Sequence, residues 1–347
     1  MFNRKPHSVH RLPAGFSLVE IMVGMVIGML GIIVIMQLYS VSEGQKRTTT
    51  GAGDAQNNGA IALYGMQRDI RQAGYGFSAY NLFGCSVTML SGKVVPLAPV
   101  TINPATSIIP AGDANTDSLL LMYGNTNGEP QGSVVTASGA TYALSSSGSF
   151  AVNDYVIGAP ATCTSNLVFD RVAAADATTV TVNVGAAGAT ALYNLGQAPK
   201  VLGYAVRGGN LTICDYVAND CSNVGNWVSV ADNIVSLKAQ YGHDTTVPQT
   251  AASYVVNTYD QTTPVDACGR VRAPAVRIAL TARSAQYEKT GKAPDGTPLD
   301  VTATAPAWEG GTIDLTGNTD WQHYRYKVFQ TIVPLRNITW MGVQTGC

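Results

Sequence analysis

The chain has 347 residues, a length that fits one or two domains. Its 21 basic and 22 acidic residues balance, so a strongly basic nucleic-acid-binding protein is excluded as the default interpretation. The six cysteines include no CxxC pair, which excludes a zinc ribbon and a thioredoxin-type motif.

A short basic leader and a long apolar segment begin the chain. The leader, residues 1–15, contains Arg4, Lys5 and Arg11 and no acidic residue. Residues 16–39 are almost wholly apolar, and as a helix rising about 1.5 Å per residue they would cross a bilayer core of roughly 30 Å. Because the positive flank lies upstream, we expect the amino terminus to stay cytoplasmic and the rest of the chain to be exported.

An ordinary secretory signal explains this segment poorly. The apolar region of such a signal runs for about 7–15 residues and ends at a cleavage site of small residues. Here the apolar run is longer, and only the weak candidate at residues 40–42 follows it. A lipoprotein signal would need a cysteine at the end of the run, whereas the first cysteine of the chain is Cys85.

Glu20 lies inside the apolar segment, where a carboxylate is costly and usually functional. Cleavage between Gly15 and Phe16 would place a new α-amine on Phe16, four residues before Glu20 and on the same helical face. That amine, from the same chain or a neighbouring one, could pair with Glu20 and offset the cost of removing both charges from water. Without such a cut, Glu20 has no evident cation in the apolar segment.

Two glycines in the apolar segment could bring helices together. Gly24 and Gly28 form a GxxxG motif, which permits close helix approach in lipid. Glycine is also simply common in membrane helices, and that interpretation stays open.

The helix is expected to continue beyond the membrane through residues 40–73, which contain no proline. Small or apolar residues recur there at steps of three and four, which indicates an amphipathic helix. The stripe comprises Ala52, Ala55, Gly59, Leu63, Met66, Ile70 and Ala73. Gly74 and Gly76 are the expected stop, and residues 74–347 form the predicted globular body.

The body is predicted to be an antiparallel β structure with long loops. Short β-prone runs occur at residues 118–123, 154–158, 167–172, 178–184, 201–207, 211–214, 227–230, 234–241, 275–282 and 324–333. The turn Gly208-Gly209-Asn210 should join two of them as a hairpin. With the amino-terminal helix, this pattern predicts an α+β fold.

All six cysteines lie in the part expected to be exported, where disulfides form. Cys214 and Cys221 are close in sequence and follow the predicted hairpin, so we expect them to pair. Six cysteines allow fifteen connectivities, and the sequence assigns no partners to the others, which are Cys85, Cys163, Cys268 and Cys347.

Catalytic and metal-binding patterns are weak. Once the leader is removed, only His243 and His323 remain, and the chain has no GxSxG, HExxH or phosphate-binding GxxxxGK[ST] motif. Residues 113–117 have the DxNxD spacing that opens a calcium loop, but Ser118 and Gly124 replace the required glycine and glutamate. We therefore expect no enzyme activity, no cofactor and no metal.

The run GFSLVE at residues 15–20 resembles the class III signal of type IV prepilins and of type II secretion pseudopilins. Further stretches, at residues 66–76, 231–242, 272–284 and 333–337, are similar to the PilW family of minor pilins. The resemblance implies a type IV pilin-like fold, with the long helix packed on a β-sheet body that has long, disulfide-stapled loops. It also implies cleavage after Gly15, methylation of Phe16 and a docking role for Glu20.

The same resemblance implies a minor pilin that primes pilus assembly and stays at the tip, as used in twitching motility. Its expected partners are other minor pilins, the major pilin, the prepilin peptidase, the inner-membrane assembly platform and a PilY-type tip adhesin. Its expected location is the inner membrane of a Gram-negative envelope, with the body in the periplasm, and then the pilus fibre.

Two alternative functions stay open. The first is a minor pseudopilin of type II secretion, akin to the J-type, whose loss would block protein secretion. The second is a tip adhesin or DNA receptor, although nucleic acid is not the expected ligand. Aromatic and basic residues do alternate at residues 324–329, but one buried strand face explains that pattern equally well.

Overall fold

The computed structural model describes residues 15–126, 128–249, 254–289, 295–297, 299–344 and 346–347, with the main chain alone at residues 47 and 48. All of the predicted leader except Gly15 therefore lies outside the described residues. The chain divides into two compact units, Met1–Thr50 and Gly51–Cys347.

Helix α1, Leu18–Gln72, is the longest element and contributes to both units. In the first unit the described side chains of the helix are exposed, with the exception of the partly buried Glu43. In the second unit one stripe of the helix is buried, including Ala55, Met66 and Ile70. The prediction that Ala52 belongs to this buried stripe is wrong, because Ala52 is exposed, whereas its neighbour Gly51 is buried.

The body of the second unit is built mainly from β-strands. They are β1 (Ser86–Thr88), β2 (Val94–Pro96), β3 (Val100–Ile102), β4 (Leu119–Tyr123), β5 (Ser133–Val134), β6 (Thr136–Ser138), β7 (Thr141–Ala143), β8 (Tyr155–Ala159), β9 (Leu167–Ala175), β10 (Thr179–Val182), β11 (Ala191–Gly196), β12 (Lys200–Arg207), β13 (Asn210–Asp215), β14 (Val228–Ala231), β15 (Ile234–His243), β16 (Thr258–Asp260), β17 (Ala275–Arg283), β18 (Ala307–Trp308), β19 (Gly311–Thr312) and β20 (Tyr326–Pro334). Two short helices, α2 (Ala267–Val271) and α3 (Arg336–Thr339), lie between and after them.

The described strands form four sheets. The largest has the order β5-β11-β8-β9-β10-β7-β6, with β1 and β2 attached at β9. A five-stranded sheet has the order β14-β13-β12-β4-β3, a four-stranded sheet has the order β16-β15-β17-β20, and β18 pairs with β19. Pairing is antiparallel throughout, except that β1 and β9 run parallel. The expected α+β, pilin-like class is therefore confirmed.

The β12–β13 hairpin turns at the predicted glycines. Arg207 pairs with Asn210, and Gly208 and Gly209 between them have φ values of 58° and 73°. A two-residue turn of type I′ needs positive φ at both central positions, which glycine adopts without a Cβ clash. Two glycines here therefore fix the register of the hairpin.

Three disulfides close the loops of the body. The structure joins Cys214 to Cys221, the pair expected from the sequence. It also joins Cys85 to Cys163 and Cys268 to the terminal Cys347, pairings that the sequence left unassigned.

Candidate functional site: the amino-terminal segment and the helix anchor

The predicted processing segment lies immediately before α1. Gly15, Phe16 and Ser17 have no regular structure. The carbonyl of Ser17 accepts hydrogen bonds from the main-chain N–H groups of Glu20 (3.0 Å) and Ile21 (3.2 Å), and these bonds close the first helical turn. Glu20 thus lies in the first turn, where the helix dipole favours a negative charge.

The first unit presents an uncovered apolar surface. The side chain of Phe16 is 80% exposed, and every large apolar side chain from Leu18 to Val41 is exposed as well. Among the described residues, α1 is the one helix long and apolar enough to cross a membrane. Water is a poor environment for such a surface, so lipid or other helices must cover it.

The predicted glycine pair lies on this same uncovered segment. A Cβ atom built at Gly24 or at Gly28 would meet nothing within 4 Å. No described residue packs against these two glycines. Another helix could therefore approach the main chain closely at these positions.

A buried carboxylate anchors the second half of α1 to the body. Asp69 accepts hydrogen bonds from the hydroxyls of Tyr204 on β12 (2.5 Å) and Tyr123 on β4 (3.1 Å). Arg68 lies beside it, with its Nε 3.5 Å from the carboxylate. Burial first, and then the neighbouring Asp69 charge, raise the pKa of both tyrosines, so each hydroxyl keeps its proton and donates it.

The carboxyl end of α1 is also fastened to the body. The side-chain amide of Asn337 donates to the carbonyls of Gln72 (3.1 Å) and Ala73 (3.0 Å), which the helix itself leaves without partners. The main-chain N–H of Gly74 then donates to the carbonyl of Met122 at 2.8 Å. These contacts fix where the helix ends and the body begins.

The calcium-like run at residues 113–117 has a structural role. The Asp113 carboxylate accepts from the N–H groups of Gly208 (2.9 Å) and Gly209 (2.7 Å) and supports the hairpin turn. The Asp117 carboxylate accepts from the N–H of Ala239 at 2.9 Å. The two carboxylates therefore bind different segments of main chain.

Each of the two histidines of the body contacts another side chain. His243 lies 3.2 Å from Asp260, and the ring of His323 stacks on Tyr287 with centroids 4.6 Å apart. Within the described part of the chain, no group of three His, Cys, Asp or Glu side chains could hold a metal ion.

Sequence reasoning missed the helix anchor. Asp69 interrupts the buried stripe between Met66 and Ile70, and a charged residue at that position signals a buried polar partner. The sequence does not predict that Tyr123 and Tyr204 are the partners, because both lie on strands far from Asp69 in the chain.

Comparison with known families adds one finding. The model of the family described as type IV pilus-assembly protein W, PilW, matches residues 212–337. This match confirms the resemblance to the PilW family that the sequence motifs indicated, and it connects the chain to type IV pilus assembly. No curated protein and no solved structure matches the chain significantly.

The matched region covers the carboxyl-terminal part of the body. It begins in β13 and ends in α3, so it contains β15, β17 and β20 of the four-stranded sheet. The processing segment, Gly15 to Glu20, lies outside the match. Its assignment therefore depends on the residues themselves.

Proposed function

We propose that this PilW-like chain is a minor pilin that primes assembly of a type IV pilus and lies with other minor pilins at the pilus tip. Two observations support the proposal together. The body matches a pilus-assembly family, and the amino-terminal helix has a continuous apolar surface that nothing in the described chain covers. A subunit of this kind can be held in a membrane first and in a bundle of helices later.

In this proposal the chain is cut between Gly15 and Phe16, and the new amino terminus of Phe16 is methylated. The charged amine then lies four residues before Glu20 in the chain and two residues ahead of the start of α1. In a helix bundle the Glu20 carboxylate pairs with such an amine, its own or that of a neighbouring subunit, because an unpaired charge in an apolar environment is strongly unfavourable. Glu20 thereby selects the depth at which the subunit enters the filament.

The body suits a position at the tip. Residues 51–347 form one compact unit of four sheets with long loops, which is bulky for a subunit repeated along a fibre. A tip complex places such a body where it needs no identical neighbour above it. The partners in this proposal are other minor pilins, the major pilin, the assembly platform of the inner membrane and a PilY-type adhesin.

Substitution of Glu20 tests the proposal. In cells that make the full chain, Glu20→Ala should leave cleavage intact and reduce the number of surface pili and the extent of twitching. The control is Asp54→Ala, which removes an exposed carboxylate farther along the same helix. Unchanged piliation in the Glu20 variant would contradict the docking role, and a loss of protein secretion with normal piliation would assign the chain to type II secretion instead.

Processing is tested separately with Gly15→Glu, which places a bulky charge at the cut site. We expect the unprocessed chain to accumulate in the membrane. A product shortened to its normal length would disprove cleavage at this position.

A further inference from the structure

A cavity of about 540 Å³ opens on the body next to the end of α1. Its volume falls within the range of roughly 300–1,000 Å³ that is typical of small-molecule sites. We call it the tyrosine cavity. The lining residues that matter here are Tyr75, Tyr80, Asn81, Tyr193, Asn337 and Trp340.

Tyr193 contributes a hydroxyl group to the wall of this cavity. It lies on β11 and is only 5% exposed, and its hydroxyl makes no hydrogen bond with any residue that the structure describes. Burial raises the pKa of Tyr193 to about 12, so the hydroxyl is a proton donor at neutral pH. Because no described residue accepts a hydrogen bond from this hydroxyl, it is available to donate one to a molecule held in the cavity.

Three other polar side chains of the cavity are oriented by hydrogen bonds to the main chain. Asn337 uses its amide N–H groups on the carbonyls of Gln72 and Ala73, so its carbonyl oxygen is held in a fixed direction as an acceptor. The amide of Asn81 donates to the carbonyl of Ala161 at 3.4 Å. The Tyr75 hydroxyl donates to the carbonyl of Thr126 at 2.6 Å, which fixes its ring. Such preorganised groups bind a partner without a large loss of side-chain entropy.

The cavity wall carries no charge on any of its described residues. A site for a phosphate or a carboxylate would need a cation or a cluster of main-chain N–H groups. The wall instead combines aromatic rings with side-chain amides, and Trp340, 81% exposed, lies on it. Flat apolar rings next to neutral donors and acceptors suit a molecule that has both C–H faces and hydroxyl groups.

We propose that the tyrosine cavity binds an uncharged oligosaccharide, with a sugar ring stacked on Trp340 and hydroxyl groups bonded to Tyr193 and Asn337. A proline-rich peptide would also pack on aromatic rings. However, prolines have no N–H or hydroxyl group that could donate to the rigid amide oxygen of Asn337, whereas a sugar has several hydroxyl donors. The amide oxygen of Asn337 therefore favours the sugar.

The experiment is a binding titration of the full chain in phosphocholine micelles, because maltoside detergents would themselves supply sugar. Saturation-transfer NMR is recorded with maltotriose, cellotriose, mannotriose and tri-N-acetylchitotriose, and with a hexaproline peptide as the competing class. We expect at least one trisaccharide to bind. Trp340→Ala should weaken that binding on the order of tenfold, and Tyr193→Phe, which removes only the hydroxyl, roughly threefold to tenfold.

The matched control is Tyr64→Ala, because Tyr64 is 71% exposed and does not line the cavity. Binding by this variant should equal that of the unaltered chain. The proposal is overturned if no trisaccharide binds, if binding is the same in the Trp340 and Tyr193 variants, or if only hexaproline binds. The outcome is independent of the assembly role, which is read from piliation.

Discussion

Asp69 is the residue that most directly joins the long helix to the body. Its carboxylate is buried and accepts hydrogen bonds from two tyrosines on neighbouring strands, β4 and β12. Hydrogen bonds to a charged group contribute about 1.5–3 kcal/mol each to stability, and removal of one donor leaves the charge poorly solvated.

Substitution of Tyr204 tests this anchor. At pH 7, Tyr204→Phe should lower the free energy of unfolding by about 1.5–3 kcal/mol, because Asp69 loses its closest donor. Chemical denaturation of the full chain in detergent measures the change. Tyr64→Phe, which alters an exposed tyrosine of the same helix, should have little effect. Equal stability of the two variants would show that the anchor contributes nothing.

The same tyrosine predicts a dependence on alkaline pH. The folded chain raises the pKa of Tyr204 above its unfolded value of about 10. Its contribution to stability is therefore fully present below pH 10 and is lost as the pH rises above that value. Between about pH 10 and 11, Tyr204→Phe should show a shallower fall in unfolding free energy, by up to about 1.4 kcal/mol per pH unit. If the unfolding free energies of the variant and the unaltered chain fell with pH at the same rate, the role of Tyr204 would be contradicted.

Two glycines of α1 respond oppositely to the same substitution. A Cβ at Gly59 would lie 2.3 Å from the ring of Phe329 and 3.1 Å from Ala282, whereas a Cβ at Gly65 would meet nothing within 4 Å. Gly59→Ala should therefore destabilise the body by about 1–3 kcal/mol. Gly65→Ala should stabilise it by up to about 1 kcal/mol through helix propensity. Thermal unfolding compares the two variants, and changes of the same sign would refute close packing at Gly59.

At the scale of elements, the three disulfides close loops of very different length. Cys268–Cys347 and Cys85–Cys163 span 79 and 78 residues, but Cys214–Cys221 spans only 7. In the chain-entropy model a longer loop gives more stabilisation, by about 2 kcal/mol for a tenfold difference in length. Replacement of Cys268 and Cys347 by serine should therefore cost about 2 kcal/mol more than replacement of Cys214 and Cys221.

The Cys85–Cys163 double variant is the control for this comparison, because its loop is nearly as long as that of Cys268–Cys347. Denaturant midpoints of the three double variants give the order of stability. If the short loop proved the costliest to open, local packing rather than chain entropy would govern these bridges.

Secondary structure was predictable where the local pattern was strong. All ten strands predicted from the sequence overlap observed strands, from β4 to β20. The other ten observed strands were missed, and the longest of these is β11, Ala191–Gly196. Its sequence is ALYNLG, in which asparagine, glycine and alanine are poor strand formers. It is a strand because β8 and β5 pair with it on both sides, a contact that no local pattern reveals.

Long-range contacts limit how much of each site can be predicted from the sequence. The pair Cys214–Cys221 was predictable because the two residues are close in sequence, whereas Cys85–Cys163 depends on how distant loops fold. The proposed processing motif at Gly15, Phe16 and Glu20 is local, so its prediction needs no long-range contact. The Asp69 anchor and the tyrosine cavity are each built from segments far apart in the chain.

At the scale of the whole molecule, the two units have opposite surfaces. The first unit exposes a continuous apolar helix, while the second buries large apolar clusters inside its sheets. The second unit can therefore be stable in water, and the first needs lipid or other helices. This division is what a subunit requires if it is stored in a membrane and then transferred to a fibre.

The most direct test of the account is the amino-terminal mass of the full chain isolated from cell membranes, with and without the prepilin peptidase. The account predicts a chain that begins at Phe16 and carries one methyl group when the peptidase is present, and a chain that still begins at Met1 when it is absent. A chain that begins at Met1 in both cells, or one that begins beyond Tyr39, would contradict it.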